Sequence, residues 1–279
     1  MNPLELTLGI MTAVGGFVDI SELVFAAKAG STFGYALIWV FAIATIGIMV
    51  FGEMSGRVAA VAKQPVFNLM RHRLGLKLGL VTLLASLVAN LITCAAEVGG
   101  VGLILNYLTG LPYRLLALVG GLVLMGSMWV LPFKWIERIY GLLGLFMIAF
   151  IAALIAIHAP WKEVAGGFVP HIPEGLSTKE LLVFAYFAVA IVSAVLFPYE
   201  AYFYSSGGIE EEWGPKDLPM NKITCTVGFG LGSLLAIAIL ASSAQLFTPA
   251  NVDPEMLGSS ALEVAIPFGW IGLDRKSVV

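Results

Sequence analysis

Five acidic residues lie inside long apolar segments of this sequence, where ionisable side chains are rare. They are Asp19, Glu22, Glu53, Glu97 and Glu200. An acidic residue at the centre of a membrane helix costs about 2.5–3.5 kcal/mol on insertion scales, so residues that persist there usually mark ion or proton pathways. Glu53 lies four residues before Arg57, and an ion pair along one helix explains it. The other four are candidates for cation binding or proton transfer.

The first acidic pair lies in a segment that makes a poor continuous helix. Gly15 and Gly16 are consecutive glycines, and each costs about 1 kcal/mol relative to alanine inside a helix. Asp19 and Ser21 follow them, and side chains of these types compete with the helix for backbone hydrogen bonds. The sequence therefore predicts an interrupted helix, with Asp19 and Glu22 beside the interruption.

The segment that contains Glu200 has a matching feature. Pro198 has no N–H group, so the carbonyl of Ala194, four residues earlier, loses its helical partner. Inside a membrane, such a carbonyl is tolerated only where it is buried in protein or lines a water-filled cavity. The sequence therefore predicts a second interruption at Pro198, with the Ala194 carbonyl and Glu200 beside it.

The composition indicates that these segments lie in a membrane. Hydrophobic residues make up 59% of the chain and charged residues 12%, with a mean hydropathy of +0.94. Soluble domains are about half apolar and about a quarter charged. Apolar stretches recur near the ~20 residues that a membrane helix needs, and the alternating ~10-residue segments of a barrel are not visible. The sequence therefore predicts a multi-pass α-helical protein.

The apolar segments predict seven complete membrane helices and the start of an eighth. They cover residues 5–30, 33–61, 77–108, 111–132, 134–158, 179–206, 219–247 and 259–272. Most basic residues lie in loops on one side, and the positive-inside rule then places the N-terminus in the cytoplasm. The basic stretch from Lys63 to Lys77 is explained by this orientation, and a patch for lipid headgroups is the alternative. We expect a prokaryotic inner-membrane protein without a cleaved signal peptide.

Interrupted helices in first and sixth position are typical of secondary transporters built from inverted repeats. We therefore predict an all-α membrane protein with a five-plus-five inverted-repeat transporter fold, discontinuous helices 1 and 6, and a truncation in helix 8. Residues 1–273 would form a single transporter domain. Residues 274–279 read Asp-Arg-Lys-Ser-Val-Val, which a common sequencing adapter encodes in frame, so we expect an artefactual tail there.

Several of these segments resemble the Nramp family of divalent-metal transporters. Residues 27–40, AKAGSTFGYALIWV, resemble the family's AGxxFGYxLLWV segment. Asp19 to Glu22 fall at the family's DPGN motif, and Ala194 to Glu200 fall at its AxxMPHN motif. In the third span, AEVGG at residues 96–100 is similar to the family's DLAEVIG stretch. The resemblance covers the chain up to about residue 273.

The resemblance implies a set of metal ligands. In the family, the DPGN aspartate and asparagine, the span-six alanine carbonyl and the methionine sulfur bind the ion, so Asp19 and Ala194 carry over directly. Glu22 replaces the asparagine, Phe197 replaces the methionine, and Tyr199 replaces the histidine that follows the proline. These replacements make the site a variant of the family pattern.

Proton coupling stays open at this stage. The family's span-three aspartate is Cys94 here, while the neighbouring glutamate is retained as Glu97. Glu97 is a candidate proton relay, and a glutamate hydrogen-bonded between helices is an equal alternative. Glu200 stands where the family usually has asparagine, so one carboxyl of the site is a further candidate proton carrier.

The replacements indicate a hard metal ion. Thioether sulfur favours softer transition metals, whereas carboxylate and carbonyl oxygen favour Mg²⁺, Ca²⁺ or Mn²⁺. Asp19, Glu22 and Glu200 supply up to three negative charges, which shifts the expected substrate to Mn²⁺ or Mg²⁺. Nramp-like relatives without the methionine are associated with Mg²⁺. Ser21, Phe197 and Tyr199 would line the pathway of a partly hydrated ion.

Two other classes of function are weighed against metal transport. Amino-acid carriers also use a broken first helix, but acids at positions 19 and 22 would repel a substrate carboxylate. The third possibility is a membrane-embedded enzyme or an interaction subunit, and for the enzyme no HExxH, CxxC pair or nucleophile elbow appears. We expect a divalent metal ion and the lipid bilayer as partners, no nucleic acid and no resident cofactor, and the oligomeric state stays open.

Overall fold

The structure is a computed structural model that describes residues 9–10, 13–14, 19–132, 135–136, 139, 142 and 148–248, without the side chains of Ile20, Ser21 and Tyr107. In these ranges the chain is helical and contains no strand. The helices are α1 (Ile20–Phe33), α2 (Ile38–Ala62), α3 (Val66–Thr109), α4 (Tyr113–Val130), α5 (Ile148–Ala156), α6 (Trp161–Gly166), α7 (Thr178–Val195), α8 (Pro198–Glu210) and α9 (Leu218–Leu246), with a 3₁₀ turn at Pro215–Asp217.

The described helices include five segments long and apolar enough to cross a membrane, judged by length and composition. They are Ile38–Ala62, Val66–Asn106, Tyr113–Val130, Thr178–Glu210 and Pro215–Leu246. The chain is therefore an all-helical, multi-pass membrane protein, as the composition predicted. The predicted eighth span at 259–272 and the expected tail at 274–279 lie outside the described residues.

The third helix differs from the sequence prediction. A helical segment at residues 66–74 follows Pro65, and non-helical backbone at Gly75 (φ 77°, ψ 169°) divides it from the long apolar helix, whose start agrees with the predicted start of the span at residue 77. The pattern missed the first part because Arg71, Arg73 and Lys77 lower its hydropathy. The bend at Gly75 therefore places Arg71 and Arg73 before the apolar span and outside it.

Helix α9 forms the centre of the described structure and packs against α1, α2 and α5. Small residues bring the backbones of α1 and α9 together, since a Cβ atom added at Gly30 would lie 2.1 Å from the carbonyl oxygen of Leu240. The Ser243 hydroxyl donates a hydrogen bond to the Ala27 carbonyl at 2.5 Å. Close approach of small residues and hydrogen bonds between helices are the usual means of helix association in membranes.

This close approach gives a prediction about stability. Replacing Gly30 by alanine should destabilise the protein by about 1–3 kcal/mol, because the added methyl group meets backbone atoms that cannot rotate away. Thermal unfolding in detergent measures the effect. Gly126→Ala on α4 is the matched control, since no atom lies within 4 Å of a Cβ added at Gly126. Equal melting temperatures for the two variants would contradict the packing of α1 on α9.

The sixth span is divided into two helices at the predicted proline. Helix α7 ends at Val195, Phe197 is extended with φ −66° and ψ 136°, and α8 begins at Pro198. Proline is favourable at the first position of a helix, because its missing N–H has no intrahelical acceptor there. Pro198 therefore starts a second helix, and Ala194 lies in the last turn of the first one.

Candidate metal-binding site

Asp19 and Glu22 cap the start of α1. Asp19 immediately precedes the helix, and its Oδ1 accepts a hydrogen bond from the Glu22 backbone N–H at 3.1 Å. In return, Oε2 of Glu22 accepts a hydrogen bond from the Asp19 backbone N–H at 3.1 Å. This reciprocal pair is a capping box, which satisfies two backbone donors that a helix start leaves unpaired. Sequence reasoning missed this role, although the acid-x-x-Glu spacing is its signature.

The third carboxylate belongs to the second half of the divided sixth span. Glu200 lies in the first turn of α8 and is 6% exposed, while Glu22 is 2% exposed. The Tyr199 hydroxyl and the Glu200 carboxyl interact through a side-chain hydrogen bond. Two of the predicted ligands are thus buried in the first turns of two separate helices, whose N-terminal ends favour negative charge.

The fold brings these three carboxyl groups within electrostatic reach of one another. Glu22 interacts with both Asp19 and Glu200, and Glu200 interacts with Asp19. Tyr199 interacts with all three carboxyl groups. Buried carboxylates that share a site cannot all be ionised unless a cation or a proton offsets the charge. The arrangement therefore favours a positively charged occupant.

The three carboxyl groups do not form a closed ligand cage. In the described ranges, no three His, Cys, Asp or Glu side chains are placed to hold one metal ion. The reason lies in the capping box, because Asp19 and Glu22 each direct one oxygen at a backbone N–H group. A carboxylate has a second oxygen and further lone pairs, so capping leaves acceptor capacity for a cation.

Aromatic side chains occupy two positions beside the carboxyl groups. The rings of Phe197 and Tyr199 lie 5.6 Å apart between centroids, with an interplanar angle of 55°. Both side chains are half-buried. Neither ring carries a sulfur atom or an imidazole nitrogen, so the only polar side-chain atom at these two positions is the phenolic oxygen of Tyr199.

The remaining predicted residues are Glu97, Gly15, Gly16 and Ser21. Glu97 is half-buried on α3 and is not among the electrostatic partners of Glu22 or Glu200. Gly15, Gly16 and the side chain of Ser21 lie outside the described residues. Ser21 itself belongs to the first turn of α1.

The ion pair predicted for Glu53 is confirmed. The Arg57 guanidinium donates to Oε1 of Glu53 from both Nε, at 3.1 Å, and Nη2, at 2.5 Å. The two residues lie in the second half of α2, about one helical turn apart. Glu53 therefore has a structural partner and is not needed for the site.

The sequence of this chain is similar to those of curated divalent metal cation transporters. A divalent metal cation transporter, MntH, of Agrobacterium fabrum is 26% identical over 248 residues, which cover 86% of this chain and 53% of that protein. The MntH of Staphylococcus aureus is 25% identical over 256 residues, covering 88% of this chain and 56% of the relative. The chain thus spans about half the length of the curated relatives that it matches.

Solved structures show the same fold. A mutant of the Eremococcus coleocola manganese transporter matches with a TM-score of 0.70 at 18% identity, covering 87% of this chain and 51% of that one. The same transporter in complex with an aromatic bis-isothiourea substituted compound matches with a TM-score of 0.69 at 19% identity. The sequence also matches the family described as natural resistance-associated macrophage protein-like over residues 9–263. This chain therefore belongs to the Nramp family.

Proposed function

We propose that this chain binds and transports divalent metal cations, with Mn²⁺ or Mg²⁺ as the preferred substrates. The observation that carries the proposal is the group of three carboxyl groups that the starts of α1 and α8 bring together. Its relatives are named as divalent metal cation transporters, which supports the same substrate class. The metal ion is the substrate, and we propose neither a resident cofactor nor an enzymatic activity.

The proposed ligands are Asp19, Glu22, Glu200 and the carbonyl of Ala194. Carboxylates and a carbonyl form an all-oxygen set, which suits hard cations. In a continuous helix the carbonyl oxygen of Ala194 would accept a hydrogen bond from the N–H of residue 198. Pro198 has no N–H group, so this carbonyl oxygen is available to coordinate an ion. We propose that Ser21, Phe197 and Tyr199 line the pathway and that water completes the coordination of the ion, since Mg²⁺ loses its waters reluctantly.

A proton is the second ion that this site is suited to carry. Three ionised carboxylates carry one negative charge more than one divalent ion neutralises. When the metal ion is bound, the third carboxyl group can therefore hold a proton or release it. We propose Glu97 as a relay beyond the site, because it is half-buried in a membrane helix. We also propose that residues 1–273 act as one transporter domain in a prokaryotic inner membrane with a cytoplasmic N-terminus.

The binding of Mn²⁺ to the purified chain tests the proposal directly, because all four proposed ligands belong to this chain. Free hexaaqua Mn²⁺ has a sharp electron paramagnetic resonance signal that broadens on binding, so the signal lost on adding protein counts bound ions. We expect one saturable ion per chain, displaced by Mg²⁺ more effectively than by an equal concentration of Cd²⁺.

Uptake into proteoliposomes tests the transport step in the same preparation. We expect Mn²⁺ and Mg²⁺ flux above that of protein-free vesicles, and an internal pH dye reports whether protons move with the metal. Saturable binding with a clear preference for Cd²⁺ would contradict the hard-ion assignment. The absence of any saturable Mn²⁺ binding would refute the metal site itself.

A further inference from the structure

The beginning of α3 carries a concentrated positive charge that the proposed metal site does not use. Arg71, Arg73 and Lys77 are exposed, with His72 between the two arginines. The sequence contains no acidic residue between Glu53 and Glu97. In the part of the chain that the structure describes, none of these three cations forms an ion pair with a carboxylate.

A sharp bend sets this charged region apart from the rest of the helix. Gly75 has φ 77° and ψ 169°, a backbone conformation that glycine adopts readily. A Cβ atom added at Gly79 would lie 3.2 Å from the Cα atom of Arg71. In a straight helix, residues eight positions apart are separated by about 12 Å along the axis. Residues 66–74, here called the short arm, therefore fold back against the start of the long apolar part.

The first half of the short arm is fixed to the second half of the broken sixth span. Phe67 packs edge-to-face on Tyr202, with ring centroids 6.4 Å apart. The Tyr202 hydroxyl lies 4.0 Å from the sulfur of Met70, and the Val66 N–H donates to the Ser205 hydroxyl at 3.3 Å. These contacts hold the arm to α8 on one side, while Arg71 and Arg73 at its other end remain exposed.

The charged end alternates with exposed leucines. Leu74, Leu76 and Leu78 have exposed fractions of 46%, 67% and 59%. Near the end of a membrane helix, long Arg and Lys side chains can reach the headgroups while neighbouring apolar side chains contact the acyl chains. The long part of α3 is itself a candidate membrane span, so this region lies within reach of lipid headgroups.

We propose that the short arm and Lys77 bind the headgroup of an anionic phospholipid in the adjacent leaflet. Arg71, Arg73 and Lys77 neutralise the phosphate, and the leucines at 74, 76 and 78 contact its acyl chains. This inference does not depend on the proposed metal site.

The orientation rule for basic loops explains the sign of the charge but not the bend. A topology signal requires only that Lys and Arg remain on one side of the membrane. It requires neither a glycine with positive φ nor leucines exposed between the cations. The two explanations therefore make different predictions. Only the lipid-binding proposal expects a specifically bound anionic phospholipid, and its binding can be measured.

Native mass spectrometry of the full chain, released from detergent with phosphatidylglycerol or phosphatidylcholine added, counts bound lipids. We expect a phosphatidylglycerol adduct that is weakened about 100-fold in the triple variant Arg71→Gln, Arg73→Gln, Lys77→Gln, since each cation near an anionic surface contributes roughly fivefold. The matched control is Arg114→Gln, Lys162→Gln, Lys179→Gln, which removes the same charge from exposed positions elsewhere and should retain the adduct.

Two further variants keep the test decisive if the triple variant is unstable. Arg71→Lys with Arg73→Lys preserves the charge and should retain binding, whereas Gly75→Ala preserves all three cations but strains the bend and should weaken it. Excess soluble glycerol phosphate should not displace the adduct, because it lacks acyl chains. Equal adducts of the two lipids, equal losses in both triple variants, or displacement by glycerol phosphate would each overturn the proposal.

Discussion

Replacing Asp19 by asparagine should weaken Mn²⁺ binding at least about 100-fold and abolish uptake. Removal of a group that only supports a metal ligand already costs about 10–100-fold in affinity, and Asp19 is proposed as a ligand itself. The expected loss comes from the carboxylate charge, because the three carboxyl groups attract the ion together. The broadening of the free Mn²⁺ resonance signal measures affinity, and proteoliposomes measure uptake.

Asparagine is the informative replacement because Asp19 also caps α1. Its Oδ1 accepts a hydrogen bond from the Glu22 N–H, and alanine would lose that contact at a cost of about 1 kcal/mol. Asparagine caps a helix about as well as aspartate, so it removes the charge and keeps the cap. A defect in Asp19→Ala alone, with normal Mn²⁺ affinity in Asp19→Asn, would assign Asp19 to the helix start and not to the metal.

Glu53→Gln provides the control for removing a membrane carboxylate. Glu53 is bonded to Arg57 on the same helix and is not an electrostatic partner of Glu22 or Glu200. We therefore expect Mn²⁺ affinity to remain within about twofold of wild type, since surface pairs of this kind contribute about 0.3–0.5 kcal/mol. An equal loss of Mn²⁺ binding in Glu53→Gln and Asp19→Asn would mean that charge anywhere in the helices controls the affinity.

The elements that the sequence predicted well are those defined by local chemistry. Long apolar runs have few alternatives to a membrane helix, and the spans at 33–61, 111–132 and 219–247 correspond to α2, α4 and α9. The interruption at Pro198 could also be predicted from the sequence. Proline has no N–H group, so it removes a hydrogen bond from its own helix whatever residues surround it. The inverted repeat is a relation between two halves of a chain, and it stays a prediction.

The start of α3 and the role of Glu22 were less accessible to sequence reasoning. Hydropathy averages over a window, so it cannot separate a charged helix from a charged loop, and the helix beginning at Val66 was placed in a loop. The spacing of Asp19 and Glu22 fits both a capping box and a pair of ligands. Only the coordinates show that the two carboxyl groups also reach Glu200, far along the chain.

The position of Glu97 in a membrane helix does not by itself establish its function. Its position in a membrane helix predicts a functional carboxyl group, yet the described structure does not link it to Glu22 or Glu200. A relay must transfer protons over hydrogen-bond distances or through ordered water. The role of Glu97 as a relay therefore stays a prediction, and Asp19, Glu22 and Glu200 are the more direct candidates for a proton that moves with the metal.

The identity of residue 197 should decide which metal ions the site prefers. Replacing Phe197 by methionine places a thioether next to Pro198, at the end of the extended stretch that joins α7 and α8. Sulfur is a soft ligand, so we expect the preference for Cd²⁺ over Mg²⁺ to rise about tenfold or more, while Mn²⁺ binding persists through the carboxylates. Competition of Cd²⁺ and Mg²⁺ against bound Mn²⁺, followed by the same resonance signal, measures the ratio of affinities.

Phe197→Leu separates the sulfur from the loss of the ring. Leucine and methionine have similar volumes, so both variants remove the contact with Tyr199, whose centroid lies 5.6 Å from that of Phe197, and only one supplies a ligand. A rise in Cd²⁺ preference confined to Phe197→Met would place residue 197 at the metal. If the leucine variant showed the same rise, the selectivity would come from the space that the ring fills, and the argument from sulfur chemistry would fail.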